Sequence, residues 1–275
     1  MSEANEKLED TLRPIKTAES VLLPIPRDTF EKLYLSPKHP WTASDLRKKV
    51  GNPTPIALMG FLLAATPNAC IMMGWRGAGG GGGAIIPVYL FFGGFVQLLG
   101  SVAEWLIGNT FSSVVFFTYA AFWIVQGTNL IPWFATGLHY SETGNSLQGM
   151  QTEGYNASID SPELGFYYVS LTLISFIFLI CSIRTNVCLF LALSLLVIAF
   201  GLFAGSYFQL ALGDAALAEK LQHIGGAFAF ALCMPIWYIL AAQLLEAVDF
   251  PIVLPVGDLS TIVLGRSQKV REHEE

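Results

Sequence analysis

Long apolar segments that are almost free of charge constrain the fold of this chain more than any other feature. Between residues 51 and 250 the only basic residues are Arg76, Arg184 and Lys220. A helix needs about 20 apolar residues to cross the roughly 30 Å hydrocarbon core of a bilayer. Six segments meet this requirement, at about 55–73, 85–107, 112–134, 165–183, 187–210 and 224–245.

The composition supports the same fold class. Charged residues make up 13% of the chain, whereas soluble domains average about 25%. The period-2 alternation of apolar residues that marks membrane β-strands is absent. The sequence therefore predicts an all-α integral membrane protein with six transmembrane helices per protomer. We expect a polar, mostly disordered cytoplasmic tail at 1–50, a membrane domain at 51–250 and a second cytoplasmic tail at 251–275.

The distribution of basic residues predicts the orientation. Positively charged residues concentrate on the cytoplasmic side of membrane proteins. With the N-terminus inside, only Arg76 and Lys220 lie outside, and the cytoplasmic side receives Arg47, Lys48, Lys49, Arg184, Arg266, Lys269 and Arg271. We therefore expect both termini in the cytoplasm. The expected location is the plasma membrane. A glycosylation acceptor pattern at Asn156 would then lie outside.

Several function classes are disfavoured by what the sequence lacks. The net charge of −6 argues against a nucleic-acid partner. We find no Walker A, HExxH or GxSxG motif, and no Cys/His spacing typical of a zinc site. His139 and His223 fall at the outer ends of spans rather than in a cluster. The sequence therefore predicts no catalytic residues, no metal and no cofactor, and the protein is not expected to be an enzyme.

Asparagine begins three of the predicted helices. The segments are Asn52-Pro53-Thr54-Pro55 at the first, Gly108-Asn109-Thr110 at the third and Thr185-Asn186 at the fifth. Asn is a favourable N-cap, and Pro fits the first helical turn. One interpretation is simply three strong helix starts. The other is a mouth of the bundle that favours an anion, because helix N-termini carry partial positive charge.

A polar stripe runs along the second span. Gly93, Gln97, Gly100 and Glu104 are separated by steps of four, three and four, which place them on one helix face. Glycine permits close helix contact, and polar residues within a span normally face the protein interior. Glu104 can be an interfacial carboxylate that caps a neighbouring helix, or a buried group that acts in proton-linked transport.

The third span carries a stripe of aromatic and polar residues. Ser112, Tyr119, Phe122 and Gln126 recur at helical spacing, with Trp123 beside them. Aromatic residues at this spacing most often serve packing. Tyr119 could instead line a narrow path, because its hydroxyl is a polar group in an apolar wall.

These motifs resemble the acetate uptake transporter family, which includes fungal acetate/ammonia outward permeases and the bacterial succinate–acetate permease. The family's Asn-Pro-Ala-Pro-Leu-Gly-Leu signature corresponds to Asn-Pro-Thr-Pro-Ile-Ala-Leu at residues 52–58. A second match runs from Gly93 through Glu104 and Gly108-Asn109-Thr110 to Trp123. The resemblance covers about residues 50–248, and Thr54 and Ala57 depart from the signature.

The resemblance implies a homohexamer of six-helix protomers, with one path through each protomer. Its apolar constriction corresponds here to Phe61, Tyr119 and Leu196. The polar and signature residues near the path would be Asn52, Pro53, Pro55, Gln97, Glu104, Asn109 and Thr110.

The predicted function is membrane transport of acetate and related short carboxylates, with acetate and the lipid bilayer as partners. A carboxylate with a pKa of about 4–5 is ionised at pH 7, and its bare charge crosses an apolar ring only at high cost. Proton-linked transport is therefore favoured, either as symport or as passage of the neutral acid. The alternatives are export of ammonia or ammonium, and a sensor that transports nothing.

Overall fold

The computed structural model describes residues 51–134, 138, 141–145, 148, 163–259 and 263. The predicted tail 1–50 and the acceptor pattern at Asn156 lie outside the described residues. The chain forms two compact units. One comprises Asn52–Trp105 and Asn109–Glu275, and it contains the helical bundle. The other comprises Met1–Gly51 and Leu106–Gly108, of which Gly51 and Leu106–Gly108 are described.

Six helices in the described part are long and apolar enough to cross a membrane, which confirms the predicted fold class. They are α1 (Thr54–Met72), α2 (Gly82–Leu106), α3 (Thr110–Asn129), α4 (Glu163–Ser182), α5 (Val187–Ala211) and α6 (Ala215–Ala247). Among the described residues, β-pairing is limited to one isolated bridge between Asn186 and Asp258.

Two predicted boundaries are wrong. Helix α6 begins at Ala215 rather than near 224, so most of the connection between the fifth and sixth predicted spans is helical. Asp214 caps this start by accepting the backbone N–H of Leu217 at 3.0 Å. Hydropathy misses the first turns of α6 because Glu219 and Lys220 make them polar. Helix α3 ends at Asn129 rather than near 134, since Pro132 follows shortly and begins a separate turn.

Helix α2 is composite. An α-helical turn at Ile86–Val88 is followed by a π-helical segment, Tyr89–Val96, and then by regular α-helix over Gln97–Leu106. The wider π turn lets the adjacent Gly93 and Gly94 both be buried. A Cβ on Gly93 would lie 2.4 Å from Cγ of Trp123. This segment of α2 therefore packs directly on α3.

Helices α1 and α2 approach each other backbone to backbone. A Cβ on Gly60 would lie 2.6 Å from the carbonyl oxygen of Phe92. A Cβ on Gly100 would lie 2.7 Å from the backbone nitrogen of Ala57. Small residues let membrane helices come this close. The glycine stripe predicted on α2 is therefore a packing surface against α1 and α3.

Residues 255–259 fold back on the turn between α4 and α5. The N–H of Val187 donates to the carbonyl of Gly257 at 2.8 Å, and the N–H of Leu259 donates to the carbonyl of Thr185 at 3.0 Å. The hydroxyl of Tyr238 on α6 donates to the carbonyl of Pro255 at 3.0 Å. The described part of the predicted C-terminal tail is thus bonded to the bundle.

Candidate functional site

Two neighbouring cavities share the residues predicted as a constriction. Cavity A is an almost wholly apolar space between α1, α2, α3, α5 and α6. Cavity B lies among the same bundle residues and extends to Asn68, Trp123 and Tyr168. The side chains that line both cavities are Phe61, Tyr119, Leu196 and Leu232. The structure therefore brings Phe61, Tyr119 and Leu196 together. It adds Leu232, which no sequence motif singled out.

The size of these cavities suits a very small solute. The volume that the centre of a water molecule can occupy is about 40 Å³ in cavity A and about 30 Å³ in cavity B. A single bound water molecule needs roughly 10–15 Å³ of such volume. Each cavity can therefore hold a molecule of a few heavy atoms.

Aromatic packing fixes the shared residues. The rings of Phe61 and Tyr119 lie 6.2 Å apart, and those of Tyr119 and Phe200 lie 6.4 Å apart. The hydroxyl of Tyr119 hydrogen-bonds Oγ of Ser175 at 3.0 Å. Because this hydroxyl already has a buried partner, Tyr119 presents its ring to the cavities as an apolar wall.

Gln97 is the one polar residue lining cavity A. Its side chain is 0% exposed, and among the described residues neither Nε2 nor Oε1 has a hydrogen-bond partner. A buried amide without partners costs about 1–3 kcal/mol per unsatisfied group. Both amide atoms are inaccessible from cavity A in this structure, so a solute there can supply those partners only after the side chain turns toward the cavity.

Cavity B contains two polar residues that sequence reasoning missed as site residues. Oδ1 of Asn68 accepts the hydroxyl of Tyr89 at 2.7 Å. The indole of Trp123 stacks on Tyr89 with ring centroids 5.4 Å apart. Asn68 could have been noticed in the sequence, because it is an amide in the middle of an apolar span, directly after Pro67.

A third cavity, cavity C, adjoins cavity B and is wider and more polar. It offers about 270 Å³ to the centre of a water molecule, and it shares Met72, Tyr168 and Phe203 with cavity B. Its polar lining includes Gln126 and Gln222. No Asp, Glu, Lys, Arg or His belongs to the described lining of cavities A, B or C. The described lining of all three cavities is therefore uncharged.

Glu104 lies in a separate buried cluster. The carboxylate is 0% exposed; it accepts the hydroxyl of Thr54 and, at 2.5 Å, Nδ2 of Asn109. These bonds join the start of α1, the end of α2 and the start of α3. Asn109 makes no side-chain capping bond to α3, so the expected Asn cap there is wrong; its amide binds Glu104 instead.

The remaining signature residues also lie away from the cavities. Asn52 is exposed, and its Oδ1 accepts the backbone N–H of Thr54 at 3.1 Å. Pro53, Pro55 and Thr110, like Asn52, Glu104 and Asn109, line none of the three cavities. Of the three Asn starts, only Asn186 caps as expected, by accepting the N–H of Leu189 at 2.8 Å. The described residues contain no cluster that could hold a metal ion.

The helices and the cavities define an integral membrane protein in which the described residues lining the internal cavities are uncharged. Comparison with known sequences is consistent with this class. The chain belongs to the GPR1/FUN34/yaaH family, whose model matches residues 35–261. This finding confirms the resemblance noted from the sequence motifs.

Individual relatives agree with this assignment. Protein alcS of Aspergillus fumigatus is 38% identical over 237 residues, covering 85% of this chain and 84% of the relative. Acetate permease A of Emericella nidulans is 26% identical over 265 residues, covering 96% and 82%. Ammonia transport outward protein 3 of Saccharomyces cerevisiae is 27% identical over 187 residues, covering 68% and 60%.

A solved structure shares the fold. The bacterial acetate channel SatP superposes with a TM-score of 0.56 at 20% identity, covering 76% of this chain and 99% of the channel. At this identity the likeness concerns the fold alone. The fold includes the six-helix bundle that holds the three cavities.

Proposed function

We propose that this protein carries acetate and related short monocarboxylic acids across the membrane, through cavities A, B and C. The observation that carries the proposal is the meeting of cavities A and B at Phe61, Tyr119 and Leu196, with the unpartnered amide of Gln97 beside them. The acetate permease among the relatives supports the substrate class. The role is transport and not catalysis.

The uncharged lining favours the protonated acid as the species that crosses. A bare carboxylate would leave water without meeting a positive group, which is costly. The amide of Gln97 complements an acid instead, since its N–H group can donate to the carbonyl oxygen while its Oε1 accepts the acid proton. We therefore propose transport linked to protons through the neutral acid.

Saturable uptake into liposomes tests this proposal. Labelled acetate is presented at outside pH 5 or 7 to vesicles that hold the purified protein at inside pH 7. The protonated fraction rises on the order of fiftyfold between these outside pH values, so uptake should rise steeply. Acetic acid also crosses bare lipid, but that leak does not saturate. Protein-dependent uptake should saturate and be competed by propionate.

A variant at the constriction ties the flux to the cavities. Tyr119→Ala removes a ring that borders both cavities, so uptake of the larger acid lactate should gain several-fold relative to acetate. Phe111→Ala is the matched control, since it removes a ring of the same helix that lines none of the three cavities. Equal lactate-to-acetate ratios in both variants and the wild type would place the path elsewhere.

The same vesicles separate the two alternatives. Ammonia export, suggested by one relative, would give saturable methylammonium flux and no acetate competition. His223, the one histidine among the described residues, lines none of the cavities, so the structure offers no histidine relay for ammonium there. A sensor would give no protein-dependent flux of either solute.

The topology and assembly are part of the proposal. We propose both termini in the cytoplasm and a homohexamer in the plasma membrane. The positive-inside pattern supports the orientation. The many exposed large apolar side chains on α2 and α4 fit contact with lipid or with further copies. Protease protection in oriented vesicles and mass measurement in detergent test the two parts.

A further inference from the structure

Trp123, which lines cavity B, carries a buried indole N–H without a described acceptor. Trp123 is 3% exposed, and its Nε1 has no hydrogen-bond partner among the described residues. Its ring lines cavity B, on the side of the constriction away from Gln97. A buried donor without a partner is destabilising by about as much as a lost hydrogen bond.

The indole is held rigidly by its neighbours. It stacks on Tyr89 with an interplanar angle of 16°, and Tyr89 is itself bonded to Asn68. The rings of Phe122 and Phe61 lie edge-on to the indole, with ring centroids 5.0 and 6.3 Å away. Gly93 lies so close that a Cβ there would overlap the indole. The N–H is therefore a donor held in one position by packing on three helices.

We propose that Trp123 is a second hydrogen-bonding station for the transported acid, paired with Gln97 across the constriction. This inference rests on the proposed transport of carboxylic acids. A solute that passes the apolar ring of Phe61 and Tyr119 loses its contact with Gln97. The indole N–H then donates to its carbonyl oxygen in cavity B.

The chemistry of the indole makes this station selective. Trp offers a donor and no acceptor. Its N–H can donate to a carbonyl or carboxylate oxygen but not to ammonium, which also only donates. Ammonium is attracted only to the faces of an indole ring, and Tyr89 is stacked on one face of Trp123. Trp123 therefore favours acids over ammonium at a point where cavity B, at about 30 Å³, has room for a single small solute.

Replacing Trp123 tests the station. Trp123→Phe keeps an aromatic ring and removes the N–H. In the liposome assay we expect the acetate concentration for half-maximal uptake to rise roughly five- to tenfold, the loss expected for one hydrogen bond. The matched control is Trp237→Phe. That indole already donates to Oγ1 of Thr66 at 3.1 Å and lines none of the three cavities, so half-saturation should not change.

A second variant removes the effect of ring size. Benzothienylalanine at position 123 is nearly isosteric with tryptophan but has sulfur in place of the N–H. It should reproduce the rise in half-saturation without any gain in lactate uptake. If Trp123→Phe does not fold, this variant still decides the matter.

Two results would overturn the station. One is unchanged acetate half-saturation with the benzothienyl side chain, which would mean that the N–H meets water or nothing. The other is an equal gain of acetate and lactate flux in Trp123→Phe alone, which would make Trp123 a spacer. Absence of saturable acetate uptake by the wild type is a different failure, because it removes the proposed function itself.

Discussion

The α1–α2 contact and the helix contacts around α5 form two groups that are packed by different means. In the first group, Gly60 and Gly100 face backbone atoms of the neighbouring helix at distances that exclude a Cβ. In the second group, Gly165 and Gly225 face the rings of Phe208 and Phe203. A ring can rotate or shift when a methyl group is added, whereas a helix backbone must move as a whole. The α1–α2 contact is therefore rigid, and the contacts around α5 are adjustable.

The largest expected effect breaks the rigid contact. Gly100→Ala places a methyl group against the backbone of Ala57 and forces α1 and α2 apart. We expect the free energy of unfolding to fall by about 3 kcal/mol or more. Gly225→Ala, in the adjustable group, should lower the free energy of unfolding by only about 1 kcal/mol, because the ring of Phe203 can shift. Thermal unfolding midpoints of both variants in the same detergent measure the difference, and equal midpoints would refute the contrast.

An intermediate effect is expected at the polar end of the rigid group. Glu104→Gln keeps the shape but replaces one of the two acceptor oxygens with an NH2 donor, so one of the hydrogen bonds from Thr54 and Asn109 is lost. We expect the free energy of unfolding to fall by about 1–3 kcal/mol. Because Glu104 lines none of the three cavities, the pH profile of acetate uptake should keep its shape. A shifted profile with unchanged stability would instead make Glu104 part of the proton-linked step.

The smallest expected effect lies in the adjustable group. Gly201 belongs to a Gly201-xxx-Gly205 pattern typical of helix contacts, yet a Cβ there would meet nothing within 4 Å. Gly201→Ala should therefore leave stability unchanged or raise it by up to about 1 kcal/mol, since Ala is the better helix former. Thermal unfolding measures the stability of this variant, and size-exclusion chromatography measures the size of its particle. A smaller particle would show that Gly201 contacts a second copy of the chain.

The sequence predicted the spans well where apolar character coincides with helix. The start of α5 at Val187 agrees with the prediction, since Asn186 caps it and apolar residues follow at once. The start of α6 was missed because its first turns are helical and polar. Hydropathy reports burial in lipid and not helix formation, so a helix that extends into water is cut short.

The candidate site was predicted only in part. The constriction residues were placed by family resemblance, and Gln97 by its position on the polar face of α2. Both sets line the cavities. The Asn residues at helix starts were expected near the path, but Asn52 and Asn109 bond within their own turn or to Glu104. Partner choice of this kind depends on the distances between helices, which spacing along one chain does not contain.

The attachment of residues 255–259 has a consequence for the order of synthesis. The backbone groups of Thr185 and Val187 that bond to Leu259 and Gly257 are made long before their partners. While the chain grows, water must satisfy these groups, because hydrocarbon cannot. The turn between α4 and α5 therefore has to stay at the aqueous surface until the last helix is inserted. The closing of residues 255–259 over it can therefore only follow the synthesis of α6.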